Sequence, residues 1–203
     1  MEQGRLLVMA GHQLTSFEQV LLGLICLSPA SGYDLKRIFA VTPMGVYQPS
    51  SGTLYPALRR LELIGMIQTQ TPSGQNGSSA RHRRVYEPTQ AGRAAHAAWL
   101  RAPVEPATVA RDLGLHLMRF VMMEHLFPAE EAVAFLRSFA DALAEFTGGL
   151  EQYTATADLG SRYGRLALGH GLAVHQASLQ WAEESIRELS AAASGSAQMT
   201  MED

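Results

Sequence analysis

Residues 50–63 read SSGTLYPALRRLEL, and their apolar side chains recur at the spacing of an α-helix. Ser50 or Ser51 can cap such a helix at its start, and Gly65 follows its end. One apolar stripe along the helix would hold it against a core. The residues of that stripe, at i, i+3, i+4 and i+7, are Leu54, Ala57, Leu58 and Leu61.

The other side of this predicted helix carries hydroxyl and guanidinium groups. A helix fits the major groove of B-DNA, where its first residues reach base edges and its N-terminal amides favour a phosphate. Two alternatives stay open here: the arginine pair also suits a solvated helix face, and Tyr55 also suits helix packing. The candidate DNA-binding residues on this helix are Ser50, Ser51, Thr53, Tyr55, Arg59 and Arg60.

The surrounding segments predict a winged helix-turn-helix. Two helices precede residues 50–63, and two short strands around a Gly- and Ser-rich linker follow them, before a fourth helix. In chain order the predicted elements are helices at 16–27, 31–39 and 51–63, strands at 66–69 and 83–87, and a helix at 90–100. We therefore expect a mostly α-helical protein whose N-terminal domain has three helices and a two-stranded wing.

The predicted wing is basic. Arg81, Arg83 and Arg84 lie next to the flexible linker, where contact with DNA phosphates or the minor groove is their natural use. A cluster that only improves solubility is the alternative. The charge of the whole chain favours the first interpretation, because residues 1–101 sum to +5 and residues 102–203 to −8.

The second half of the chain predicts helices only. Two long helices carry apolar residues in steps of three and four, which is typical of coiled-coil-like packing and suggests a dimerisation domain. The predicted organisation is an N-terminal extension at 1–15, a winged-helix domain at 16–101, a helical dimerisation domain at 102–190 and a disordered tail at 191–203.

Several classes of protein are disfavoured. Cys26 is the one cysteine, so an intrachain disulfide and a multi-cysteine zinc site are excluded. We expect Cys26 to act as a small buried hydrophobe. No nucleophile elbow, phosphate-binding loop or metal-binding histidine motif is present. We therefore expect no enzyme activity, no cofactor and no metal. Without a signal peptide or an apolar run of membrane-spanning length, we expect a cytoplasmic protein without a membrane partner.

The first half of the chain resembles the PadR-like transcriptional regulators. The resemblance lies in SGYDL at 31–35, in SGTLYPALRRLE at 51–62 and in GMI at 65–67. It continues in RVY at 84–86 and TQAGR at 89–93, and it covers roughly residues 16–101.

This resemblance implies a homodimeric, DNA-binding repressor that responds to a small molecule or to stress and binds a palindromic operator in double-stranded DNA. It also implies that the third helix reads DNA, and that Tyr33 packs or contacts the DNA backbone. A different class remains as the alternative, since folds do not fix functions: a winged-helix module that binds a ligand or a protein but not DNA.

An effector pocket is expected where the two domains meet. An apolar cleft with one or two polar groups suits an aromatic or lipophilic molecule. Filling of the core or of a subunit interface is the alternative role for the same side chains. The candidate effector-binding residues are Trp99, His116, Met118, Phe120 and Met122.

Overall fold

The computed structural model describes residues 13–41, 49–70, 84–156 and 161–199. The chain divides into two compact units, Met1–Trp99 and Leu100–Asp203. Within the described ranges no helix is both long enough and apolar enough to cross a membrane.

The first unit is a winged helix-turn-helix, as the sequence predicts. Its sheet has the strand order β1-β3-β2, with both pairs antiparallel. The helices and strands are α1 (Ser16–Leu27), β1 (Ala30–Ser31), α2 (Gly32–Val41), α3 (Ser51–Leu63), β2 (Ile67–Thr69), β3 (Val85–Pro88) and α4 (Gln90–Arg101). The short strand β1, which the sequence analysis missed, makes β3 the central strand, since Ala30 pairs with Tyr86 and Ser31 with Val85.

Two helices of this unit begin with reciprocal capping contacts. The Thr15 hydroxyl accepts the backbone N–H of Glu18, and the Glu18 carboxylate accepts the backbone N–H of Thr15, which together form a capping box. Ser31 and Asp34 repeat the arrangement at the start of α2. The carboxylates in both first turns also face the positive end of the helix dipole.

The core of the first unit is built from the apolar stripes of its helices. The predicted stripe of α3 is confirmed, because all four of its members are buried. Cys26 is half-buried on α1, and burial raises the pKa of its thiol to about 11. The large buried side chains of α1, α2 and β2 include Val20, Leu21, Leu22, Ile25, Leu35, Phe39 and Ile67.

A close contact joins the start of α4 to the two residues that precede β2. The Thr89 hydroxyl donates to the Gly65 carbonyl at 2.6 Å and accepts the backbone N–H of Gly92. The Met66 carbonyl oxygen accepts the Thr89 backbone N–H at 3.0 Å. A Cβ at Gly92 would stand 1.9 Å from that same oxygen, so only glycine fits there.

The described residues after Arg101 form three helices: α5 (Pro106–Met123), α6 (Ala129–Thr156) and α7 (Arg162–Met199). Helix α5 is kinked at Asp112, and the Thr108 hydroxyl and His116 Nε2 lie 3.0 Å apart across the kink. The core of the second unit contains aromatic side chains: the Trp181 ring forms T-shaped pairs with the rings of Phe120 and Phe139. Helices α6 and α7 form the most extensive pairing of the unit.

The apolar seams of the two long helices are used within the chain. Leu136, Phe139 and Leu143 of α6 are buried, and the Phe146 ring lies 4.7 Å from the His175 ring of α7. Part of each seam is therefore buried within the chain, and the dimerisation expected of this domain stays a prediction. A long helix can bury its stripe against a neighbour in the same unit, and the heptad pattern does not distinguish the two cases.

The end of the chain also differs from its prediction. Residues 191–203 were expected to be disordered, but α7 continues to Met199. Ala191 and Ala192 favour continuation of the helix because alanine has the highest helix propensity.

We expect Gly92→Ala to destabilise the first unit strongly. The added Cβ would overlap the Met66 carbonyl oxygen, and relief requires a backbone shift that costs about 1–3 kcal/mol or more. Gly148→Ala is the control, because its Cβ would meet nothing within 4 Å and should stabilise α6 by up to about 1 kcal/mol. Hydrogen exchange followed separately in each unit measures both effects. Unchanged protection of the first unit in the Gly92 variant would contradict the contact.

Buried His96 is expected to make the first unit acid-sensitive. Its side chain is 1% exposed, and neither ring nitrogen has a hydrogen-bond partner among the described residues. Burial lowers its pKa to about 4, whereas the unfolded chain titrates near 6.5. The unfolded chain therefore binds the proton first. The free energy of unfolding should fall from pH 6.5 to pH 4, by up to about 1.4 kcal/mol per pH unit.

His96→Leu should flatten this dependence in the amides of the first unit, measured by hydrogen exchange at several pH values. The exposed His125 provides the control, and His125→Leu should leave the slope unchanged. An unaltered slope in the His96 variant would place the titrating group elsewhere.

Candidate nucleic-acid interface

The N-terminus of α3 presents hydroxyl groups at the surface. Ser50 is the N-cap residue, and its Oγ lies 3.1 Å from the Thr53 hydroxyl and not against a backbone N–H. Lys36 of α2 donates to the Ser51 hydroxyl at 3.4 Å. Ser50, Ser51 and Thr53 are all exposed. This end of α3 therefore offers three hydroxyls and a nearby ammonium group to an external partner.

The buried stripe of α3 determines which side chains face outward. Because Leu54, Leu58 and Leu61 are fully buried, the opposite face of the helix is the exposed one. Tyr55 is 51% exposed, and Arg59 is exposed one turn further along. These two side chains continue the polar face that begins with the serines.

The two arginines of α3 have different surroundings. Arg60 Nη1 donates to both carboxylate oxygens of Glu18, at 3.1 and 3.2 Å. The Glu18 side chain is 5% exposed and also accepts from Thr15, so this ion pair ties α3 to the start of α1. Arg59 is exposed, and its side chain lines the surface groove described below. The sequence alone does not distinguish these two arginines.

The wing contributes Arg84 to the same surface. Its Nη2 donates to Glu62 Oε1 at 3.2 Å, and the Arg84 side chain is 65% exposed. An ion pair this exposed contributes little to stability, so the arginine can exchange the carboxylate for a phosphate at small cost. Arg81 and Arg83, the other predicted wing residues, lie outside the described residues.

A surface groove of about 270 Å³ brings the candidate residues of α2, α3 and the wing together. Arg59 and Arg84 provide two positive charges there, and Glu62 provides one negative charge. Burial raises the pKa of the Tyr86 phenol, so Tyr86 keeps its proton at neutral pH and can donate a hydrogen bond. The groove is lined by Ser31, Gly32, Tyr33, Tyr55, Arg59, Glu62, Arg84 and Tyr86.

The predicted site includes some, but not all, of the residues that line this groove. Tyr33, Tyr55, Arg59 and Arg84 were candidates, and the structure places them around one groove. Ser50, Ser51 and Thr53 lie at the N-terminus of α3. Lys36, Glu62 and Tyr86 were not candidates. The tripeptide RVY at 84–86 was the available signal for Tyr86, since side chains two apart on a strand share one face.

The effector candidates of the second unit lie in or beside its core. His116, Met118 and Met122 are buried, and Phe120 packs on Trp181. Burial lowers the pKa of His116 to about 4, assisted by nearby Arg119, so the ring is neutral at pH 7. Two surface cavities of this unit, of about 480 and 340 Å³, are lined by other residues.

Trp99, the remaining effector candidate, belongs to the first unit, where its ring lies 5.8 Å from that of His96.

In the part of the chain that the structure describes, no three His, Cys, Asp or Glu side chains come together as metal ligands would.

Known proteins similar to the chain include both a sequence relative and solved structures. Transcriptional regulator Rv3488 of Mycobacterium tuberculosis is 49% identical over 49 residues, which are 24% of this chain and 42% of that protein. The match thus spans less than half of that relative's length.

Two solved structures of Bacillus subtilis PadR also resemble the chain. The complex with operator DNA is 20% identical with a TM-score of 0.40, and covers 86% of this chain and 99% of that one. The complex with p-coumaric acid is 21% identical with a TM-score of 0.39, and covers 87% and 99%.

The family comparison covers most of the first unit. Residues 21–98 match the family described as "Transcriptional regulator PadR-like family". This range contains α2, α3, both wing strands and every residue that lines the groove. Over this range the chain is similar to the PadR-like family of transcriptional regulators.

Proposed function

We propose that this protein is a sequence-specific DNA-binding transcriptional regulator, and that it acts as a homodimeric repressor released by a small-molecule or stress signal. The observation that carries DNA binding is the exposed face of α3. Ser51 and Thr53 are exposed at its start, and Tyr55 and Arg59 line one groove with Arg84 of the wing. Helix-turn-helix proteins place such a helix in the major groove.

The residues of this face divide into two proposed roles. Ser50, Ser51, Thr53 and Tyr55 lie within the first two turns of α3, from which side chains reach base edges. Arg59, Arg84 and Tyr33 border the groove and suit DNA phosphates, which set the position of the protein but carry no sequence information. We assign Arg81 and Arg83 of the wing to the phosphates as well.

Arg60 fits a supporting role better than a main DNA contact. Its Nη1 is held by the buried Glu18 carboxylate, and its side chain is 41% exposed. A charge-assisted contact to a buried acid is stronger than one made in solvent. We therefore propose that Arg60 mainly holds α3 at its angle to α1, while Arg59 contacts DNA.

The second unit carries the proposed dimer surface. Because Leu136, Phe139 and Leu143 of the α6 seam are buried within the chain, we place the dimer surface on other, exposed apolar side chains. Leu117 and Val121 of α5 are four residues apart, so they share a face, and they are 42% and 58% exposed. On α7 the exposed residues Tyr163, Leu166 and Val174 share a second face. Single exposed apolar residues are common, but several aligned on two helices indicate association.

An effector is the third part of the proposal. Bacillus subtilis PadR has been solved with p-coumaric acid, an aromatic acid. By analogy we propose an aromatic or lipophilic ligand for this chain, with Trp99, His116, Met118, Phe120 and Met122 as candidate contacts. The burial of Met118 and Met122 equally suits a role in the core of the second unit.

DNA binding should depend steeply on salt. If each subunit places its groove and wing arginines on phosphates, the logarithm of affinity should fall with the logarithm of salt at a slope that corresponds to about 6–10 phosphate contacts per dimer. The probe is a duplex selected by the protein from a random pool. Arg59→Ala should reduce the slope by about 2, one contact from each subunit. A salt-independent affinity would contradict DNA binding through this face.

Arg60→Ala is the matched variant on the same helix. It leaves the buried Glu18 carboxylate without its guanidinium, so it should cost about 1–3 kcal/mol of stability, with a smaller change in salt slope than Arg59→Ala. If Arg60→Ala flattened the slope and left stability unchanged, the two roles would be reversed.

Charged substitutions in the proposed dimer surface test whether the protein associates through it. Leu117→Glu together with Val121→Glu should give a monomer at micromolar concentration in sedimentation experiments, because the carboxylates would have to be desolvated at the interface. Leu63→Glu, at an apolar residue of the first unit that is 85% exposed, is the control and should leave the dimer intact. A wild-type monomer, or an unaffected dimer in the double variant, would exclude this surface.

A further inference from the structure

Tyr55 lies directly over the backbone of Gly32. A Cβ built on Gly32 would stand 2.7 Å from Cε1 of the Tyr55 ring and 3.3 Å from its Cζ. The optimal separation between two carbon atoms is about 3.5–4.0 Å. The ring therefore occupies the space that any other residue would need for its side chain. The contact joins the first residue of α2 to the exposed face of α3.

The backbone conformation does not explain the glycine. Gly65, with a φ of 74°, is the one residue with positive φ in the described part of the chain, so Gly32 has a conformation that alanine could adopt. Gly32 is also the first residue of a ten-residue helix, where glycine is a weak helix former. The contact with Tyr55 is the feature that requires a hydrogen at this position.

Gly32 is held in place by the residue before it. Ser31 is 3% exposed, and it pairs with Val85 in the sheet. Its backbone N–H donates to Asp34 Oδ2 at 3.1 Å, and its hydroxyl accepts the Asp34 backbone N–H at 3.3 Å. The sheet and the capping contacts together oppose a shift of the backbone at residue 32.

Tyr55, in contrast, has room to move. It is 51% exposed, and its ring borders the groove. An added methyl group at residue 32 would therefore displace the ring toward solvent, with little effect on the fold. A change confined to α2 would then alter the surface that α3 presents.

We propose that Gly32 is a positioning residue for DNA readout: it lets the Tyr55 ring lie against the start of α2 and so fixes where the Tyr55 hydroxyl stands on the exposed face of α3. The inference rests on the proposed function, because it concerns the use of Tyr55 on DNA. It assigns a role in sequence discrimination to a residue that has no side chain.

The test is a double-mutant cycle on the duplex selected by the wild-type protein. Gly32→Ala should weaken binding to that duplex by about tenfold, comparable to the loss of one base contact, and should leave binding to unrelated duplex DNA unchanged. In a Tyr55→Ala background the same change should alter affinity by less than about twofold, because coupled residues are non-additive. Gly148→Ala, whose Cβ meets nothing within 4 Å, is the control and should not change affinity.

A second readout follows the ring itself. In protein labelled with 3-fluorotyrosine, the Tyr55 resonance, assigned with Tyr55→Phe, should shift in Gly32→Ala, while thermal unfolding shows that the fold is retained. An unmoved resonance overturns the proposal, as does an equal loss of affinity in both backgrounds. If the wild-type protein selects no duplex, DNA binding fails as a function, and the fluorine resonance alone then decides whether Gly32 positions the ring.

Discussion

The buried carboxylate of Glu18 is the contact on which the geometry of the DNA-binding unit depends. It accepts the Thr15 backbone N–H and hydroxyl at the start of α1 and two hydrogen bonds from Arg60 on α3. An acid that is 3% exposed is stable only when such donors surround it. The same group therefore caps one helix and anchors the other. Apolar packing in the core is non-directional. The hydrogen bonds between Glu18 and Arg60 are directional, so they restrict the position of α3 relative to α1.

Local patterns predicted the helices of the first unit well, because capping and apolar periodicity act over a few residues. The stripe of α3, predicted from three- and four-residue spacings alone, is confirmed. Strand β1 was missed because two residues are too few to show a periodic pattern. They form a strand only by pairing with β3, more than fifty positions later in the chain. The surroundings of Arg60 were missed for the same reason, since Glu18 lies 42 residues away.

The candidate site shows a similar limit. The tyrosines and arginines were identified by residue type, but their meeting around one groove depends on how α2, α3 and the wing fold together. In the second unit the seven-residue rhythm predicted helices correctly. The same rhythm did not predict whether the seam packs against a helix of the same chain or of a second subunit. Apolar periodicity shows which face of a helix is buried, but not which element covers that face.

The surroundings of Cys26 have a practical consequence for measuring motion in this protein. With a thiol pKa of about 11, only about one molecule in ten thousand carries a thiolate there at pH 7. Maleimide and methanethiosulfonate reagents attack the thiolate, so the native cysteine reacts slowly. A cysteine introduced on the exposed surface, for example at Leu63, would ionise near its usual pKa of about 8.5 and react far sooner. Fluorophores or spin labels can therefore be attached at chosen positions while the residue that packs in α1 is left in place.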